Sequence, residues 1–217
     1  MVWAASATQW LSLAIAAGRN EEAGAAIAAY VAQGATTPGW SAAVAYCAAV
    51  VGDRATALPL LDRMIAYGLD ALVDPNRGAA CSYFADAAVL SGAAEPVLQA
   101  FDAALEERSG TLVVQHYCGM VHGLVDARRA RIATALGEAG RARALADAAA
   151  ASVGADAPPL LVLDVDFARA AALTAAGEEA EAAALREATC GRARALGLLG
   201  IARSVEAFAA AHAPPEG

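Results

Sequence analysis

LAIAAGRNEEAGAAI, residues 13–27, packs an Ala/Leu-rich run, a closing glycine, a short polar start signal and a second Ala-rich run into one short stretch. The same cassette returns as CAAVVGDRATALPLL (47–61), ADAAVLSGAAEPVLQAF (85–101), RIATALGEAGRARAL (131–145) and ARAAALTAAGEEAEAAAL (168–185). Its turn glycines are Gly18, Gly52, Gly92, Gly137 (or Gly140) and Gly177, at spacings of 34, 40, 45 and 40 residues. A glycine in the left-handed region ends a helix without a Cβ clash, and the polar residues after it start the next helix. Asn20 and Asp53 fit as N-caps, Pro96 fits a first helical turn, and Glu178, Glu179 and Glu181 put negative charge at the positive end of a helix dipole. Each cassette therefore predicts a helical hairpin. Hairpins of such small side chains bury their apolar stripes only by stacking on neighbours, so about five of them predict an α-solenoid. A closed all-α bundle is the alternative.

Composition agrees. About 65 of the 217 residues are alanine, the best helix former because it loses no side-chain entropy in a helix. No strand-length run alternates β-branched or aromatic residues with polar ones, so the fold class expected is all-α, with no sheet. A mean hydropathy of +0.45 excludes intrinsic disorder. The interruptions at 34–39, 74–78 and 157–159 fall where loops between hairpins belong. They read as one domain over 1–212 with a frayed tail over 213–217.

A net charge of −8 opposes direct binding to nucleic acid or to an anionic membrane. All 15 basic residues are arginine. Cys47, Cys81, Cys118 and Cys190 have no paired short spacing, so buried, reduced thiols in a cytoplasmic protein are expected. The uncharged stretch 1–18 lacks a basic leader and is broken by Ser6, Thr8, Gln9 and Ser12, which argues against a secretion signal. The later apolar run 42–51 is too short for the roughly 20 residues a spanning helix requires.

The 34-residue first period resembles a tetratricopeptide repeat (TPR), although the Trp…Leu-Gly…Tyr signature is missing. A longer resemblance covers YFADAAVLSGAAEPVLQAFDAALEERSGTLVV (83–114), GLVDARRARIATALGEAG (123–140) and ARALGLLGIARSVEAF (193–208). In order and spacing these are similar to the C-terminal TPR-like segment of actinobacterial STAND-type ATPase regulators, many of which carry a LuxR-type DNA-binding or nucleotidyl-cyclase module elsewhere. The resemblance implies a TPR-like scaffold in transcriptional or signalling regulation that binds a peptide, a partner domain or a small inducer. It does not extend to ATP hydrolysis, because a chain without lysine has no Gly-x-x-x-x-Gly-Lys-Ser/Thr loop. It does not extend to DNA binding either, since no basic recognition helix is present. No cofactor or metal is implied.

In TPR arrays the first helix of each pair lines the concave groove. Counting back six residues from the turn glycines selects Ser12, Tyr46, Asp86 and Arg131, and eight back from Gly177 selects Arg169. These five polar or amphipathic residues are the candidate ligand- or partner-binding set, and Asp86 and Arg131 are expected to be exposed.

The competing reading is a small helical enzyme. If QHYCGMVHGLVDARR (115–129) is helical, Cys118, His122 and Asp126 share one face and hold either a soft metal or a Cys–His nucleophile. No credible fourth protein ligand accompanies them. Asp164 and Asp166 point about 200° apart on a helix and do not form an acid/base pair. Arg128, Arg129 and Arg131 with Arg141 and Arg143 read as a solvated face partnered locally by Asp126 and Glu138, or as an anion site.

Overall fold

The computed structural model describes residues 2–32, 38–69, 77–115 and 120–212. These residues are 78% helical and 4% strand. In chain order the elements are α1 (Val2–Ala16), α2 (Asn20–Ala32), α3 (Pro38–Val50), α4 (Arg54–Tyr67), α5 (Arg77–Leu90), α6 (Glu95–Glu106), β1 (Leu112–Gln115), β2 (Met120–Leu124), α7 (Val125–Ala135), α8 (Ala139–Ala151), α9 (Pro159–Ala175), α10 (Glu179–Ala195) and α11 (Leu199–Ala211).

The glycine turns join these helices as the cassettes predict. Gly18, Gly52, Gly92, Gly137 and Gly177 all have φ between +58° and +81°. After each, the next backbone N–H reaches back five residues: Arg19 to the Ala14 carbonyl at 2.8 Å, Glu138 to Ala133 at 2.9 Å. That closure satisfies carbonyls the helix end would otherwise orphan. Gly197, at φ +72°, makes a sixth such turn and separates α10 from α11. Asp53 caps α4 by accepting from the Thr56 N–H at 3.1 Å. Asn20 does not act as a cap; it opens α2 and is fully buried, because α2 packs on α3 at this point. Most of the predicted loops 34–39 and 74–78, and all of the tail 213–217, lie outside the described residues.

Along the chain α3, α5, α7 and α9 pack successively on one another, with α4, α6, α8 and α10 each against the helix before it. Two cores result. The larger contains Leu61, Phe84, Phe101, Leu105, Ile132, Leu163 and Phe208, with the Phe84 and Phe101 rings stacked 5.6 Å apart. The smaller, where α7, α8 and α9 meet, is almost entirely alanine: Ala127, Ala130, Ala133, Ala142, Ala146, Ala149, Ala168 and Ala172 with Leu124 and Val165. Side chains this short let the helices approach closely.

Two features depart from the expected pattern. First, α11 turns back across the first members of the pairs and packs on α1, α3, α5 and α9. Its start is pressed against α1 so tightly that a Cβ on Gly200 would sit 2.0 Å from the Ile15 carbonyl oxygen. Second, β1 and β2 form an antiparallel pair where helix was expected, with Leu112 opposite Leu124 and Val114 opposite Val121. Leu112 and Val114 are 44% and 42% exposed while Val113 between them is 2% exposed, the alternation of a half-buried strand, too short to register as one in sequence. Gly123, at φ +130°, fits where a Cβ would lie 2.2 Å from a carboxylate oxygen of Asp164.

Candidate functional site

Helix α7 reads VDARRARIATA and is buried from Val125 to Thr134, although it carries one aspartate and three arginines. Helical spacing explains how. Arg128 and Arg131, three apart, project on one side; Arg129 projects on another. The Arg131 guanidinium donates to Asp86 on α5 at 2.9 Å and to Asp164 on α9 at 3.0 Å. Arg128 lies 3.3 Å from Asp164 and 3.3 Å from Asp86, closing a ring of two carboxylates and two guanidiniums. Asp164 also accepts the Leu124 N–H at 2.7 Å, and Arg128 donates to the His122 carbonyl at 2.7 Å, so the ring grips the end of β2. Arg129 faces the other way, to Asp102 at 3.0 Å and Glu106 at 2.9 Å on α6. Arg141 joins that second network through Asp102 and Glu138.

For Arg128, Arg129 and Arg131 this overturns the expectation of a solvated arginine face, whereas Arg141 pairs with Glu138 as expected and Arg143 is exposed. Arg131 is 3% exposed, and Asp86 and Arg131 are partners in a buried ion pair rather than free groove residues. Burial opposes the charge of Arg131, and Asp86 and Asp164 more than offset it, so the guanidinium is held protonated more firmly than usual. Its carbon also lies 4.6 Å from the centre of the Phe167 ring, a cation–π contact.

Beside the ring is a partly enclosed cavity of about 70 Å³. It is walled by Tyr46 of α3, Asp86 of α5, His122 of β2, Arg128 and Arg131 of α7, and Asp164 and Phe167 of α9. Helix α11 adds Ile201 and Ser204. The Tyr46 hydroxyl and Ser204 Oγ are 2.7 Å apart, and Ser204 in turn donates to the Gly200 carbonyl at 2.9 Å. Tyr83 stands behind, its hydroxyl 3.1 Å from Nδ1 of His122 and its ring 5.3 Å from that of Tyr46. Burial, helped by the Arg128 charge, lowers the pKa of His122 to about 4, so its imidazole is neutral at pH 7. Burial also drives both tyrosine hydroxyls well above their usual range.

Of the five groove candidates, the structure brings Tyr46, Asp86 and Arg131 together on this cavity. Ser12 is buried in α1 and Arg169 is exposed on α9, over a separate depression lined by Arg143, Asp147 and Leu185; neither reaches it. The face proposed for Cys118, His122 and Asp126 is not formed. Cys118 lies outside the described residues, His122 sits on a strand, and Asp126 in the first turn of α7 accepts from Ser109 Oγ at 2.6 Å and the Gly110 N–H at 2.9 Å. Asp164 and Asp166 diverge as helical geometry requires, Asp166 pairing with Arg192. Among the described residues no group of three or more His, Cys, Asp or Glu is placed to hold a metal ion, and no helix is long and apolar enough to cross a membrane.

Sequence reasoning missed Asp164, Arg128, Phe167, Ser204 and His122 as wall residues. The available signal was the polarity of DARRAR itself: four charges in a helix entered from an apolar strand need partners, and LLVLDVDF offers an aspartate in an equally apolar setting. No protein-family model, curated protein or solved structure matches this chain.

Proposed function

We propose that this chain is a non-catalytic TPR-like α-solenoid that senses a small molecule in the cavity beside the Asp86–Arg131–Asp164–Arg128 ring. On this reading it is the helical-repeat part of a cytoplasmic regulator of the STAND type. The observation that carries it is the make-up of the cavity wall, which draws on α3, α5, α7, α9, α11 and β2 at once. An occupant would touch elements spread over most of the chain, so its binding energy would bear on the arrangement of the whole array. A peptide in the groove is the lesser reading, because α11 already lies across the first helices and would have to leave.

Catalysis is disfavoured by the same geometry. Both aspartates are engaged by two arginines each. His122, neutral at pH 7, has its Nδ1 3.1 Å from the Tyr83 hydroxyl. The test is a thermal-shift screen of a metabolite library against the wild type and Leu160→Trp, which replaces a side chain of the cavity wall with an indole. A true ligand at about 100 times its Kd adds about 2.7 kcal/mol of stability, a rise of roughly 5–10 °C for a domain of this size. Stabilisation that survives Leu160→Trp would remove the cavity from consideration.

A further inference from the structure

We infer that the cavity selects a small uncharged molecule and rejects ions of the same shape. This rests on the cavity being the binding site. The pairing of the wall charges carries it.

The charges on the wall are already balanced. Asp86 and Asp164 meet Arg128 and Arg131 at 2.9 to 3.3 Å, and the remaining titratable wall groups among the described residues, Tyr46 and His122, are neutral at pH 7. An anion entering beside this ring meets two carboxylates, and a cation meets two guanidiniums. Either gains a partner only by opening an existing pair and leaving a buried charge uncompensated, the most expensive arrangement available to an ion in a protein interior. A neutral molecule leaves the ring closed.

The rest of the wall includes the apolar side chains of Val89, Leu90, Leu160, Phe167 and Ile201, which offer a charged occupant no counterion. A volume of about 70 Å³ gives room for about five heavy atoms within the enclosed part.

Acetamide, acetate and acetamidinium have nearly one shape and carry charges of 0, −1 and +1. Each is titrated at pH 7 and constant ionic strength into isotope-labelled protein, following the ring resonances of His122 and Phe167. Acetamide is expected to shift both saturably and to bind at least tenfold more tightly than either ion. Acetate or acetamidinium binding as tightly as acetamide, with the same resonances moving, overturns the selectivity while leaving the cavity as a binding site. Acetamide leaving both rings unmoved overturns it as well, the cavity then holding water only. Acetamide shifts that persist unchanged in Leu160→Trp place binding elsewhere and overturn the cavity reading together with this one. The comparison of the three compounds uses wild-type protein alone, so it stands even if that variant misfolds.

Discussion

Helices α7 and α8 follow one another across a single glycine turn and obey opposite rules. Helix α7 carries Asp126, Arg128, Arg129 and Arg131 and is buried over ten consecutive residues. Helix α8, AGRARALADAAAA, is richer in alanine, yet only Ala142, Ala146 and Ala149 are buried. Hydrophobicity alone would have placed them the other way round. Helix α8 needs only one narrow stripe of methyl groups against α7 and α9. Helix α7 sits between α5, α6, α8 and α9, and its charges are tolerated because each meets an opposite charge or a hydrogen-bond donor brought from 16 to 45 residues away.

The largest way to break this contrast is to remove one member of the ring. Asp164→Ala leaves two buried guanidiniums short of a carboxylate and the Leu124 N–H without its acceptor. It should lower unfolding stability by about 3–5 kcal/mol in denaturant titration. A loss below 1 kcal/mol would mean that water reaches the ring and screens its charges.

A somewhat smaller effect comes from acid. His122 has a folded-state pKa of about 4 against an ordinary value of 6.5. The unfolded chain therefore takes up this proton first as pH falls. Its contribution is whole above about pH 6.5 and lost as pH drops toward 4, amounting to at most about 3 kcal/mol. Stability curves at pH 7 and pH 4 should lie closer together in His122→Gln than in the wild type. An unchanged gap would show that the imidazole is solvated.

The smallest effect sharpens the contrast from the other side. Arg194 and Glu206 form an ion pair in which both side chains are about half exposed. Arg194→Ala should cost no more than about 0.5 kcal/mol, because water already screens the pair. A cost near that of Asp164→Ala would dissolve the distinction between buried and surface pairs.

The helices and their turns were legible because alanine content and glycine placement act locally: five turn glycines were placed from neighbouring residues alone. The pairing of β1 with β2 was not, since TLVV is too short to show a period, and Gly123 is required by Asp164, 41 residues downstream. The candidate site was legible in part. Counting from the glycines found Tyr46, Asp86 and Arg131, residues on one side of successive first helices. It failed for exposure, because the count carries no information about α11 folding back over them. Ser12, selected by the same count of six, and Arg169, selected by a count of eight, stand near the ends of the series and lie away from the cavity.

That return of α11 alters how the molecule should come apart. Helical hairpins stacked in a row touch only their sequence neighbours, so such rows can fray from either end, one unit at a time. Here Arg203 reaches Glu21 at 3.0 Å and Ser204 reaches Tyr46, contacts spanning 182 and 158 residues. Neither end can peel away without breaking its hold on the other. Closing so long a loop comes late and slowly in folding. Once closed, it couples the first unit to the last, so the array is expected to melt as one cooperative body.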